Sequence, residues 1–375
     1  MRKLGIGLIG SGFIAKCHVY GYRTMLSVFP EAAAQPEFEL IADIDEALAQ
    51  SARERFGFKR HTADWRALVC DPAVDIVDIC VPSHLHREIA LTAIAAGKDV
   101  YCEKPVGLHG GEATEIAEAA ARAGVKSLVG YSYLRNPLIA FARKLIEEGA
   151  IGEVLHFRGA HNEDYMSDPS APFVWRCDAA IAGKAGSLGD LGCHIVSIAR
   201  ALIGEIKAVC GTTTTIVPER PVPGANRSRR VENEDQAQFL IEFENGATGH
   251  IESSRVATGS HMDITYEIVG THGQIQFDGE RMNELRYFSD KDPADRRGFR
   301  TIYLGPQHPP YGNFVPGQAH GIGFNDQKVI EAYELMELVA AGKPTGPDLA
   351  GAARIGRVID AVLQSAAERR WVEVA

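Results

Sequence analysis

Leu4-Gly5-Ile6-Gly7-Leu8-Ile9-Gly10-Ser11-Gly12-Phe13-Ile14-Ala15 is the stretch from which the fold can be read. An apolar run, Leu4–Ile9, ends in glycines, and helical spacing of apolar residues then extends from Ser11 to Phe29. The join has the form Gly-x-Gly-x-x-Ala. Gly10 permits a tight turn, Gly12 lets the backbone approach a pyrophosphate, and small Ala15 lets helix and strand pack closely. The helix N-terminus then offers unpaired N–H groups to phosphates. Gly10, Gly12, Phe13 and Ile14 make up this candidate cofactor-binding turn. An isolated match of this kind fits an ordinary glycine turn equally well, so its neighbours decide.

Downstream, Phe38–Ala42 reads as a second strand and is followed at once by Asp43. A carboxylate there can accept both ribose hydroxyls of an adenosine and repel a 2′-phosphate. The interval from Ala15 exceeds the usual spacing of about 20 because Pro30–Pro36 lengthens the connection. No Arg or Lys follows until Arg53, so the expected cofactor is NAD rather than NADP. Strand patterns at Val74–Val81, Asp99–Cys102 and Ser127–Gly130 alternate with helical ones at Ala47–Phe56, Glu88–Ala96 and Gly111–Ala123. That alternation predicts a doubly wound parallel sheet, a Rossmann domain over residues 1–130.

After about residue 150 the texture changes. Val154–Arg158, Ile206–Ile216, Asp235–Phe243, Ala247–Val256, Asp263–Val269 and Gln274–Phe277 read as strands at hairpin spacing. A helix is expected over Leu188–Leu202, two more over Asp326–Ala341 and Leu349–Glu368, and a last strand over Trp371–Val374. Residues 131–375 are therefore expected to form an α+β domain with an antiparallel sheet, its last helices packing back on the first domain. Pro218–Arg230 reads as a mobile loop.

Composition narrows the class. The 375 residues suffice for two domains, and the 45% hydrophobic content supports a self-sufficient core. With 39 Lys+Arg against 49 Asp+Glu the net charge is −10, which argues against nucleic acid or an anionic membrane as partner. Seven cysteines (17, 70, 80, 102, 177, 193 and 210) without a C-x-x-C pair read as reduced thiols of a cytoplasmic protein. Met1–Ile6 enters the first strand directly, so no signal peptide is expected, and no run of 18 apolar residues suggests a membrane span.

Two motifs can carry chemistry. Glu103-Lys104-Pro105 follows the fourth strand, at the sheet edge where doubly wound folds bind ligands. Lys104 there can hold an alkoxide-forming hydroxyl, or it can be a plain surface lysine. In Asp190-Leu191-Gly192-Cys193-His194 the acid and the imidazole stand four apart, on one face of a helix. They suit a general base with a carboxylate beside it, or a capping Asp with a packed His. Metal ligation is a third reading of that pair, but no compact third and fourth ligand accompanies it, and His84-Leu85-His86 is no zinc pattern. No metal is expected.

Together, Gly10-x-Gly12-x-x-Ala15, Glu103-Lys104-Pro105, Trp175-Arg176 and Gly186-Ser187-Leu188-Gly189-Asp190-Leu191-Gly192-Cys193-His194 resemble the GFO/IDH/MocA family of oxidoreductases. The resemblance covers essentially the whole chain, including Glu147–Glu153 at the domain junction. Asp295–Arg300 and Gly321–Phe324 bring it nearest the scyllo-inositol and levoglucosan dehydrogenase group. It implies a Rossmann domain followed by an open-faced antiparallel sheet, substrate between them, and homo-oligomers, tetramers before dimers, formed through the flat sheet. It also implies Lys104, Asp190 and His194 as the catalytic set. His194 would take the hydroxyl proton, Lys104 steady the alkoxide, and Asp190 orient His194 or bind a neighbouring hydroxyl. Pro82, His84 and Glu103 would line the nicotinamide side. Tyr133, Arg135, Asp164, Trp175 and His320 would surround a polyhydroxylated ring, and Arg176 would serve either the ring or the cofactor. In place of the glycine run of its relatives the chain has Ala182-Gly183-Lys184-Ala185-Gly186, which leaves the substrate open.

The expected activity is NAD-dependent oxidation of a secondary hydroxyl on a cyclitol such as scyllo-inositol, or on a pyranose. An anhydrosugar dehydrogenase of the levoglucosan type is the alternative, with an NAD-using glycoside hydrolase behind it. A sugar sensor would have no need of both a base and an alkoxide stabiliser.

Overall fold

Leu4–Ile9 is apolar enough to be buried on both faces, and it makes up most of β1 (Arg2–Ile9) at the centre of a parallel sheet. The structure, a computed structural model, describes residues 1–374. With β2 (Ala34–Ala42), β3 (Arg60–Thr62), β4 (Ile76–Ile79), β5 (Asp99–Cys102) and β6 (Ser127–Val129), the order is β3-β2-β1-β4-β5-β6. Every pair is parallel, with the order reversing at β1/β4, where a doubly wound sheet opens its ligand crevice. Ile6, Leu8, Val77, Ile79, Val100, Cys102 and Val129 are all fully buried. Helices Phe13–Val28, Glu46–Phe56, His86–Ala95 and Gly110–Ala123 connect the strands. The sequence reading omits β3, since the three residues Arg60-His61-Thr62 contain no apolar run.

The chain divides into two compact units, Met1–Arg135 with Gly323–Arg354, and Asn136–Ile322 with the segment from Ile355 onward. Helix Phe324–Ala341 joins the first unit because it lies along Phe13–Val28. There Phe29 stacks on Tyr333 at 4.1 Å and the Ala33 N–H donates to Glu337 at 2.6 Å.

The second unit is built on β7 (Val154–Asn162), β8 (Ile206–Thr214), β9 (Glu219–Pro221), β10 (Ser228–Arg230) and β11 (Gln236–Phe243). It continues with β12 (Thr248–Ser254), β13 (Asp263–Gly270), β14 (Gly273–Asp278), β15 (Glu284–Ser289), β16 (Arg300–Tyr303) and β17 (Val372–Glu373). Nine of these form one sheet, β16-β15-β14-β13-β7-β12-β11-β8-β17. Its pairs are antiparallel except β7/β12, which the long intervening chain makes parallel. The sheet is therefore mixed, not wholly antiparallel as expected. Ala237, Phe239, Ile241 and Phe243 of β11 alternate inward while Gln238, Leu240 and Glu242 face out. Helix Cys193–Leu202 covers the inner face, with its Ile195 against Gly159 of β7. The outer face is polar: Arg158 pairs with Glu267 at 2.8 Å, and Gln238 donates to Glu252 at 2.9 Å.

Pro218–Arg230, expected as a mobile loop, contains the β9/β10 hairpin. Arg220 pins it from within: its side chain is fully buried and donates to the carbonyls of Met166 and Asp168 at 2.5 and 2.9 Å. Among the described residues no helix is long and apolar enough to cross a membrane.

Candidate active site

The glycine turn is open where a dinucleotide needs it open. Gly10 has φ +94°, and a Cβ there would lie 2.3 Å from the Cys80 carbonyl oxygen, so only glycine fits. Gly12 begins helix Phe13–Val28 with no side-chain cap and no acidic residue in the first turn, and the space above it is empty. The first N–H groups of the helix are thus available to phosphate. Asp43, at the end of β2, receives the Ser11 hydroxyl at 2.5 Å and the Ile44 N–H at 2.7 Å. Phe13 and Ile44 are 69% and 86% exposed, two apolar side chains left in water on either side of this carboxylate and turn. Ile14 packs into the core instead. Arg55, which the sequence reading passes over, donates to the Ser11 carbonyl at 2.8 Å.

At the carboxyl ends of β4 and β5, Pro82 is half-buried and His84 exposed on the short turn Ser83–Leu85. His86 is the residue missed there. Its ring nitrogens lie 2.8 Å from the Val81 carbonyl and 2.9 Å from the Pro105 carbonyl, tying together the loops that carry Pro82 and Lys104. Burial pushes its pKa down. Lys104 is partly exposed, whereas Glu103 is buried with its carboxylate turned inward. Tyr133 is half-buried, its ring 6.0 Å from that of Phe324. Arg135 is buried and committed to the Gly346 carbonyl at 2.5 Å and to Glu334 at 2.9 Å.

In the second unit Asp190 lies in a wide π turn, Leu188–Gly192, that runs into helix Cys193–Leu202 bearing His194. Buried Glu234 secures the start of that turn by accepting the N–H groups of Gly186 and Leu188 at 2.6 and 2.7 Å. Asp190 accepts from the Tyr165 hydroxyl at 2.7 Å and from the Arg176 Nε at 3.0 Å. The Tyr165 side chain is partly open to solvent, but desolvation of its hydroxyl and the Asp190 charge push that group well above its ordinary pKa, so it remains a donor. The Arg176 carbonyl is held by Asn233 at 2.8 Å, and its guanidinium lies 4.5 Å over Trp175. His194 is 6% exposed and packs 5.6 Å from the His161 ring, whose Nδ1 meets the Leu191 carbonyl at 3.0 Å.

Asp190, Arg176, Trp175 and Tyr165 thus form one constellation. The sequence reading names Asp164 and not its neighbour Tyr165. Asp164 accepts the Gly259 N–H at 3.1 Å, and His320 is exposed beside Gln318.

Comparison with known proteins follows the same division. Residues 4–131 match the oxidoreductase family with an NAD-binding Rossmann fold, and residues 139–276 match the GFO/IDH/MocA C-terminal domain. The chain is 41% identical to the levoglucosan dehydrogenase of Pseudarthrobacter phenanthrenivorans, over all of this chain and 99% of that one. It is 28% identical to the scyllo-inositol 2-dehydrogenase (NAD(+)) of Bacillus subtilis, over 72% of this chain and 71% of that one. Among solved structures, a levoglucosan dehydrogenase in complex with NADH and levoglucosan superposes with a TM-score of 0.96 at 42% identity, covering both chains in full.

Proposed function

The chain belongs to the GFO/IDH/MocA oxidoreductase family and is an NAD-dependent sugar or cyclitol dehydrogenase; we propose that its own substrate is an anhydrosugar of the levoglucosan type. The observation that carries this choice is the 41% identity to a levoglucosan dehydrogenase along the entire chain, against 28% over 72% of it for the scyllo-inositol enzyme. This reverses the order of the two substrates expected from sequence. The test supplies NAD with levoglucosan, scyllo-inositol, myo-inositol and glucose and follows NADH absorbance. Levoglucosan is expected to give the highest kcat/KM, and a higher value for an inositol would overturn the choice. Cleavage of an aryl glycoside without net NADH would identify a hydrolase.

On this reading Lys104, Asp190 and His194 are the catalytic residues. Bound NAD supplies the hydride acceptor at nicotinamide C4. The open turn at Gly10 and Gly12 holds the pyrophosphate, and Asp43 accepts the hydroxyls of the adenosine ribose. The His194 imidazole takes the proton of the reacting hydroxyl. The Lys104 ammonium stabilises the negative charge that develops on that oxygen. Asp190, fixed by Tyr165 and Arg176, holds a neighbouring hydroxyl or the imidazole, with Trp175 giving the ring an apolar wall.

The polar outer face of the nine-stranded sheet is the surface we assign to self-association into a tetramer. Light scattering on purified protein tests this, a monomer being the contrary result. Seven free cysteines support work in a reducing cytoplasm.

A further inference from the structure

Behind Lys104 lies a group of five buried ionisable side chains that the proposed chemistry does not use. His18, Asp78, Glu103, Lys328 and Glu331 are each between 0 and 6% exposed. The His18 Nδ1 lies 2.9 Å from Asp78, and its Nε2 lies 2.9 Å from Glu103 Oε1. Lys328, from helix Phe324–Ala341, donates to that same Glu103 oxygen at 2.8 Å and to Glu331 at 2.8 Å. Tyr101 donates to Glu331 at 2.5 Å and stacks on the His18 ring at 4.4 Å. Tyr22 donates to Asp78 at 2.9 Å.

Three carboxylates face one lysine and one imidazole, so the local charge favours the imidazolium form of His18. An imidazolium donates from both nitrogens, toward Asp78 on one side of the ring and Glu103 on the other. Cys80 also touches this ring, its Sγ 3.4 Å from Nδ1 and from Asp78. That trio is closed by its own hydrogen bonds, and Lys328 stands 3.0 Å from the other ring nitrogen. A cation there would have to displace the ring proton facing Asp78, with the Lys328 ammonium already on the far side of the ring.

Buried ionic groups of this kind are commonly no more stabilising than an apolar core of equal volume, so their cost asks for a use. The use is visible at Glu103. One of its oxygens is taken by His18 and Lys328, and the other accepts the main-chain N–H of Lys104 at 3.1 Å. The carboxylate fits only because position 130 is glycine, where a Cβ would come within 2.4 Å of Glu103 Oε1.

We propose that Lys328 and His18 are positioning residues for Lys104, holding Glu103 as a buried anion that in turn fixes the Lys104 main chain. This rests on the reading of Lys104 as catalytic. Neither residue touches the reacting atoms. Their effect is on kcat, through the placement of the ammonium, and not on binding of cofactor or sugar.

The test compares four variants of the full chain with wild type, using NADH binding to count folded sites. Lys104→Ala is the control for the underlying reading: wild-type kcat in it would remove the catalytic role of Lys104 and the proposal with it. Lys328→Met is expected to lower kcat per folded site at least tenfold, with KM and the NADH Kd within about threefold of wild type. Should Lys328→Met not fold, the His18 pair still decides. His18→Asn keeps an amide at the Nδ1 position, toward Asp78, and loses the reach to Glu103. His18→Gln places its amide at the Nε2 position and keeps that reach. Positioning through Glu103 predicts a tenfold loss of kcat in His18→Asn and recovery to within about threefold in His18→Gln. Wild-type kcat in His18→Asn, or equal losses in the two, with Lys104→Ala inactive, would overturn the proposal and leave the catalytic reading standing.

Discussion

At Asp43 one carboxylate takes the Ser11 hydroxyl and the Ile44 N–H, and Arg55 waits on the Ser11 carbonyl. On the proposed reading the charge of Asp43 would repel a 2′-phosphate. Replacing Asp43 by Ser should therefore lower kcat/KM for NAD roughly tenfold and raise that for NADP, visible in parallel titrations with both cofactors. An unchanged preference would take Asp43 out of this role. For the chemical step, His194→Ala and Lys104→Ala should each lose about 10²- to 10⁴-fold in kcat while still binding NADH. Gly10 was legible because its turn admits only glycine, whereas Asp190, read as lying on one α-helix with His194, lies in the π turn before that helix. Tyr165 and His86 were not legible, since a lone aromatic or imidazole in a loop carries no spacing signal. Arg135 was legible as a cation, but its bonds to Gly346 and Glu334 are long-range and invisible in the local sequence.

Among elements, the turn Leu188–Gly192 depends on Glu234, in the loop before β11 and far away in sequence. Glu234 accepts two main-chain N–H groups there, both in a buried setting. Glu234→Ala should cost about 3 kcal/mol and lower Tm by roughly 5–10 °C, measured by calorimetry, with NADH binding retained. A second dependence is on pH. The Asp78 charge, working against burial, raises the His18 pKa above its ordinary 6.5. The groups facing it are Asp78, Glu103, Lys328, Cys80 and the stacked Tyr101, with Tyr22 bonded to Asp78. A raised pKa in the folded state means the contribution of charged His18 is complete below pH 6.5 and fades as pH rises through the folded value. The Tm difference between wild type and His18→Gln should accordingly be widest near pH 6 and narrow upward. A difference that widens with pH would contradict it. Glu331 carries the opposite sign: Lys328, outweighing burial, holds its pKa below 4.5, so its contribution is lost only on acidification below that value. None of this cluster was readable in sequence. Helix Phe324–Ala341 alternates charge and apolar residues so evenly that Lys328 and Glu331 resemble solvated positions. Strands and helices of the first unit were readable because each is a compact apolar run with its own stop. β15 and the edge strand β16 were not, since Arg286 and Arg300 interrupt their apolar pattern.

Over the whole molecule, the chain builds its cofactor unit first, then the sheet unit, and returns to the first at Gly323–Arg354. That return brings Lys328 and Glu331 into the unit of Lys104. The net charge of −10 fits an enzyme whose ring substrate is neutral. The claim on which the account turns is that this chain oxidises an anhydrosugar ring with NAD. The most direct measurement is the initial rate of NADH formation with levoglucosan and with scyllo-inositol, each at saturating NAD. Levoglucosan should give a kcat/KM at least tenfold higher. NADH formed faster from scyllo-inositol, or none from levoglucosan, would contradict it.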